Sequence, residues 1–349
     1  MVVSFAERAA CIARTKNTGT NKALSWGFVS TRTRTIAVSA VQAASRISSL
    51  IRETPLEYSP FFSGETGAEV YLKLENYQHT GSFKIRGASN LLMTLTADQR
   101  AEGCVAASSG NHGAAVAYAM QRLDTKGVIF VPEQTSSVKV EAIRSYGGEV
   151  CFHGTDGLVT EMHAREYAKS RGMHYLSPYN DVDVIAGQGS CGVEIAKQLP
   201  DVDAVFVAVG GGGLISGIGC VLKEWHPDVR IVGCQPAASA VMAKSVEAGQ
   251  ILDIPSDATL SDGTAGGVEA GSVTFDLCRE IVDEFILVSE SQIAAAMRQY
   301  IDAQHQLIEG AAGVAIAALL AGTDTLCGKK VIVVICGANI SLAALKSII

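Results

Sequence analysis

Short apolar runs rich in β-formers alternate with helix-like segments along most of the chain. The runs are Glu69–Leu74, Gly103–Ala107, Gly127–Val131, Glu149–Phe152, Ala204–Val209, Arg230–Gln235, Glu284–Val288 and Lys330–Ile335. The helix-like segments are Ala37–Leu50 before the first run, then Gly113–Arg122, Ser136–Tyr146, Gly157–Ser170, Gly187–Gln198, Gly213–Trp225, Ser291–Gln304 and Gly313–Ala321. Strands that are apolar nearly throughout, rather than at every second residue, predict parallel sheets covered on both faces. Strand–helix alternation of this kind predicts an α/β fold. Open sheets of that class bind ligands beyond the carboxyl ends of their strands. A chain of 349 residues can bury a large core and usually forms two domains.

Composition narrows the function classes. A net charge of −7 argues against a nucleic-acid partner, which needs a basic face. No apolar run approaches the ~18–20 residues needed to span a bilayer, so no membrane segment is expected. The nine cysteines are an odd number without a CxxC pair and read as reduced thiols of a cytosol-like compartment, so no metal site is expected.

Residues 1–35 differ from the rest. They hold six Lys/Arg, nine Ser/Thr and a single acid, Glu7. That is the composition of an organellar transit peptide, mitochondrial or plastid, and equally of a disordered tail or a misassigned start. Fold reasoning therefore begins near Ile36.

Four motifs carry chemistry. After the buried-strand run Val205–Val209 come Gly210, Gly211, Gly212 and Gly213, and Leu214 opens a helix-like segment. Glycines let the backbone come close to a ligand, and successive amides at a helix N-terminus converge on an anion. A tight strand–helix turn is the plain alternative, but four glycines exceed what a turn needs. The loop lacks the Gly-Lys-Ser/Thr end of a nucleotide P-loop. Ser82-Phe83-Lys84-Ile85-Arg86-Gly87 places a lysine between apolar neighbours. A desolvated lysine has a lowered pKa and a nucleophilic amine that forms a Schiff base with an aldehyde. Arg86 reads as structural. Ser108-Ser109-Gly110-Asn111-His112-Gly113 sits where a strand hands over to a helix. Orphan amides there can hold a carboxylate, or Ser or Asn can simply cap the helix. Cys336-Gly337-Ala338-Asn339 follows the last buried strand, where Cys336 is either a small core residue or a ligand contact.

In this order, the four motifs resemble the serine/threonine dehydratase and serine racemase family of pyridoxal-phosphate (PLP) enzymes, of the tryptophan-synthase-β fold type. The resemblance covers residues 36–349. It implies two doubly wound parallel-sheet domains: a large PLP-binding one formed by 36–100 and 181–349, and a small one at 101–180. It implies that Lys84 carries the cofactor as an imine and that Gly210–Gly213 with Leu214 hold its phosphate. Asn111 would contact the cofactor's 3-oxygen, Cys336 would face the pyridine nitrogen, and Ser108, Ser109, Asn111 and His112 would bind the substrate carboxylate. Serine racemases have a serine at the place of Ser109 as an acid–base, so both chemistries stay open. Glu309, Gly310 and Ser261-Asp262-Gly263-Thr264 match segments beside the cofactor.

The implied reaction is α,β-elimination of ammonia from L-threonine or L-serine to a 2-keto acid. The alternatives are serine racemisation, or dehydration of 3-hydroxyaspartate or phenylserine. A neutral thiol at Cys336 favours elimination over transamination, because it does not keep the pyridine protonated. From another class, a non-catalytic PLP-binding or nucleotide-sensing module would lack the lysine or break the tetraglycine; both are intact. Animal-type racemases hold a divalent ion on two acids where this chain has Gln235 and Val241, so no such ion is expected there. The chain ends soon after Cys336, so a C-terminal regulatory domain and isoleucine feedback are not expected. Relatives are commonly homodimers or homotetramers.

Overall fold

The computed structural model describes residues 29–322 and 325–349. Among the described residues are ten strands: β1 (Leu56–Tyr58), β2 (Glu69–Lys73), β3 (Cys104–Ala107), β4 (Gly127–Val131), β5 (Glu149–Phe152), β6 (His174–Tyr175), β7 (Ala204–Ala208), β8 (Arg230–Pro236), β9 (Glu284–Val288) and β10 (Lys330–Val334). They form a six-stranded sheet, order β1-β2-β10-β7-β8-β9, and a four-stranded sheet, order β5-β4-β3-β6. Every pairing is parallel except β1 with β2, where Leu56 faces Lys73 and Tyr58 faces Tyr71. Central strands explain the unbroken apolar runs: all five residues of β7 are buried, as are Val331–Val334 of β10. The short β1 and β6 carry too few residues to show a period, and the sequence pattern missed both.

Each sheet has its own core. Val205, Phe206, Ile215, Val232, Ile316 and Val333 belong to the larger one. Val116, Ile129 and Ile143 belong to the smaller one, and so do Ile85, Ala88 and Leu92 from the helix Lys84–Thr94. That helix therefore packs with the four-stranded sheet although it precedes residue 101.

The first described helix is Thr31–Arg46, not Ala37–Leu50. Ser30 caps it, accepting from the Thr33 amide at 3.2 Å. Arg32 pairs with Asp276 at 2.6 Å and Arg34 with Glu224 at 3.0 Å. The acids that balance these arginines come from distant parts of the chain, so local composition wrongly grouped residues 31–35 with a tail. The targeting expectation otherwise rests on residues 1–28, which lie outside the described residues. No described helix is long and apolar enough to cross a membrane.

The helix Val182–Gln198 begins five residues before its expected start, capped by Asp181, whose carboxylate accepts from the Asp183 and Val184 amides. Its glycines obscured the helical pattern. Gly187 is needed for packing: a Cβ there would lie 2.6 Å from the Arg86 carbonyl and 2.7 Å from Gly87 Cα.

Candidate active site

The carboxyl ends of β3 and β7 point into one cavity of about 640 Å³ between the two sheets. Lys84, the 108–112 turn, the tetraglycine, Leu214 and Cys336 all line it. The structure thus brings together the residues expected to hold the cofactor and the substrate, with Glu309, Asp262, Gly263 and Thr264, whereas Gly310 and Ser261 do not line the cavity.

Lys84 is the first residue of its helix and is partly buried at the cavity wall. Its Nζ donates to the Pro178 carbonyl at 2.8 Å. Loss of water around the ammonium lowers its pKa to about 8, and the Glu309 carboxylate acts in the opposite direction.

The tetraglycine is a strand–helix turn that admits no side chains. Gly212 has φ +84°, and the helix Gly213–Trp225 starts directly after it. A Cβ on Gly210 would lie 2.9 Å from Thr264 Cα, and one on Gly211 would lie 2.4 Å from the Tyr179 ring. The first amides of the helix have no partner within it, so they are available to an anion in the cavity.

Across the cavity, Gly110 precedes the helix Asn111–Arg122, and the Ser108 hydroxyl accepts from the Gly110 amide at 3.2 Å. Asn111 Nδ2 donates to both Glu309 oxygens at 2.9 Å. Asn111 Oδ1 accepts from Asn339 Nδ2 at 2.6 Å, which fixes the amide's orientation. The Asn339 main-chain amide also donates to Glu309, at 3.2 Å. Burial raises the pKa of Glu309; the Asn111 hydrogen bonds act against that rise. Cys336 Sγ lies 4.0 Å from Glu309 Oε1, and burial and that carboxylate push the thiol well above its ordinary range. Cys336 is therefore a neutral thiol. His112 is buried, its Nε2 donates to the Leu176 carbonyl at 2.9 Å, and burial lowers its pKa to about 3. It is a neutral ring, held in place rather than free to act as a base. Ser109 lines the cavity and is partly buried.

Arg86, two residues after Lys84, is fully buried. Its guanidinium meets both oxygens of Glu75 at 2.7 Å, and those of Glu194 at 2.7 and 2.8 Å. Lys73, also fully buried, meets Glu194 at 2.6 Å. The two cations and two carboxylates balance, which makes Arg86 structural. Gln235 is buried, donating to the Val209 carbonyl at 3.0 Å and accepting from the Ala243 amide at 2.7 Å.

Sequence reasoning missed Pro178, Tyr179 and the two glutamates around Arg86. Pro178 and Glu194 lie 94 and 108 residues from the side chains they hold, and Glu75 and Tyr179 belong to no motif that the sequence singles out.

This geometry can be set against known proteins. A family model described as "Pyridoxal-phosphate dependent enzyme" matches residues 47–337. The chain belongs to that family. Pyridoxal phosphate is accordingly its cofactor, and the residues present fit it. An amine poised near neutrality suits an aldehyde, and a turn of exposed amides at a helix N-terminus suits a phosphate. The chain is 38% identical to the L-threonine ammonia-lyase of Geobacter sulfurreducens over 88% of this chain and 76% of that one. Among solved structures, a processed threonine deaminase isoform 2 of Solanum lycopersicum is 33% identical with TM-score 0.88, covering 92% of this chain and 94% of that one. A maize serine racemase is 30% identical with TM-score 0.85, covering 89% and 95%.

Proposed function

We propose that the chain is an ammonia-lyase that converts L-threonine or L-serine to a 2-keto acid and ammonia by α,β-elimination. The observation that carries the reading is the pairing, in one cavity, of the Lys84 amine with the neutral Cys336 thiol. The threonine ammonia-lyase and threonine deaminase relatives support it. Pyridoxal phosphate supplies the aldehyde that takes up the substrate amine and the conjugated ring that draws electrons from the Cα–H bond.

The protein's residues do the rest. Gly210–Gly213 and the helix behind them, with Leu214, hold the phosphate through main-chain amides and the helix dipole. Asn111, held by Glu309 and Asn339, would contact the ring's 3-oxygen. Ser108, Ser109, Asn111 and His112 frame a second helix N-terminus that receives the substrate carboxylate. Lys84, whose amine has a lowered pKa, would be the base that takes the α-proton. Cys336, a thiol too weakly acidic to give up its proton, would not keep the ring nitrogen protonated. A residue of that kind would favour elimination of the β-hydroxyl over transamination.

Serine racemisation is the second reading. Ser109 lines the same cavity, and the maize serine racemase shares the fold. We further propose a homodimer or homotetramer: Tyr58, Phe61 and Leu307 leave apolar surface exposed around the edge strand β1. The location we propose is cytoplasmic, or organellar if residues 1–35, by their composition, are a transit peptide.

Lys84→Ala tests the main reading. The variant is expected to form no keto acid from L-threonine or L-serine while keeping its circular dichroism; wild-type rates would overturn it.

A further inference from the structure

The segment Leu176–Asp181 carries the chain from the four-stranded sheet back to the helix Val182–Gln198. Its Pro178 carbonyl holds Lys84. The next residue, Tyr179, lies against the tetraglycine. A Cβ on Gly211 would fall 2.4–2.6 Å from three atoms of the Tyr179 ring, and one on Gly213 would fall 3.1 Å from Tyr179 Cβ. The ring is therefore the surface against which the loop is pressed. On the opposite side, the Thr274 hydroxyl donates to the Gly211 carbonyl at 2.6 Å.

The ring is itself held in place. The Tyr179 hydroxyl accepts from the Glu269 amide at 3.0 Å. One Glu269 carboxylate oxygen accepts from Arg165 and the other from Asn180 Nδ2, each at 2.8 Å. Arg165 belongs to the helix Gly157–Arg171 on the four-stranded sheet, and its guanidinium lies 4.3 Å from the centre of the Tyr175 ring. Asn180 Oδ1 accepts from the Val273 amide at 3.1 Å, beside Thr274. A continuous line of contacts thus runs from the smaller sheet, through Arg165, Glu269 and Tyr179, to Gly211.

We infer that Tyr179, fixed by Glu269, is a positioning residue that holds the tetraglycine in its phosphate-binding shape and so sets how firmly the cofactor is retained. The inference rests on the proposed placement of the phosphate at Gly210–Gly213. Tyr179 acts through the loop, so its loss weakens the grip on the phosphate and leaves the bond to the lysine alone. Tyr179→Phe removes the acceptor of the Glu269 amide and keeps the ring. Glu269→Ala removes both side-chain ties.

The test loads full-length wild-type protein and each variant with PLP, or with pyridoxal, which has the same aldehyde and ring but no phosphate. Release after dilution is followed by the absorbance of the bound ring. Wild type is expected to keep PLP far longer than pyridoxal. Tyr179→Phe is expected to release PLP about tenfold faster, the effect of one lost hydrogen bond, and Glu269→Ala, which loses two, at least as fast, with pyridoxal release unchanged in both. Variants that release both compounds faster by the same factor, or that release PLP at the wild-type rate, overturn the inference. Wild type that keeps pyridoxal as long as PLP overturns the phosphate placement beneath it.

Discussion

The account makes a quantitative demand on Lys84. Burial lowers its pKa from 10.5 to about 8. At pH 7 the neutral fraction is then about 9%, against about 0.03% for an ordinary lysine, a gain of roughly 300-fold in reactive amine. The perturbation is Glu309→Gln. Glu309 is the buried carboxylate that helps keep the proton on Lys84, so its removal moves the midpoint below 8. The assay mixes cofactor-free enzyme with PLP across a pH series and reads the initial rate of lysine–cofactor bond formation. Wild type should follow a single rise with its midpoint near 8. A wild-type midpoint near that of free lysine refutes the desolvation argument; an upward shift in the variant refutes the assigned role of Glu309. The same titration appears in stability. Between about 8 and 10.5 the unfolded chain holds a proton that the folded chain has released, so stability of the cofactor-free enzyme rises with pH in that window.

Other outcomes follow from the surrounding residues. Arg86→Met leaves Glu75 and Glu194 buried without their main partner and should cost about 3–5 kcal/mol, read as a fall in the thermal midpoint; an unchanged midpoint contradicts the structural role. His112 resists protonation down to about 3, whereas the unfolded ring takes a proton near 6.5. Stability is therefore lost as pH falls through that window, and His112→Gln should make acid unfolding less steep. Because the Gln235 amide already joins Val209 to Ala243, activity should survive a chelator; loss that Mg²⁺ restores contradicts this.

The sequence was most legible where one segment carries its own physics. The buried run before Gly210 and the glycines themselves announce a strand, a turn and a helix start, and the structure has them in that order. The apolar neighbours of Lys84 foreshadow its desolvation. What stayed hidden depends on partners brought in by the fold. Arg32 and Arg34 look like a basic tail until Asp276 and Glu224 are seen beside them. Tyr179 is an unremarked tyrosine until its ring meets Gly211. The reason for glycine at 211 was likewise only half legible: close approach of a ligand was the expected cause, and close approach of Tyr179 is one the structure displays.

The central claim concerns which bond breaks after the α-proton leaves. The most direct measurement incubates PLP-loaded protein with L-threonine, L-serine and L-threo-3-hydroxyaspartate, and scores keto acid against D-amino acid. The account predicts keto acid from L-threonine or L-serine, formed much faster than any D-isomer. Predominant D-serine would contradict it and make Ser109 the working acid–base.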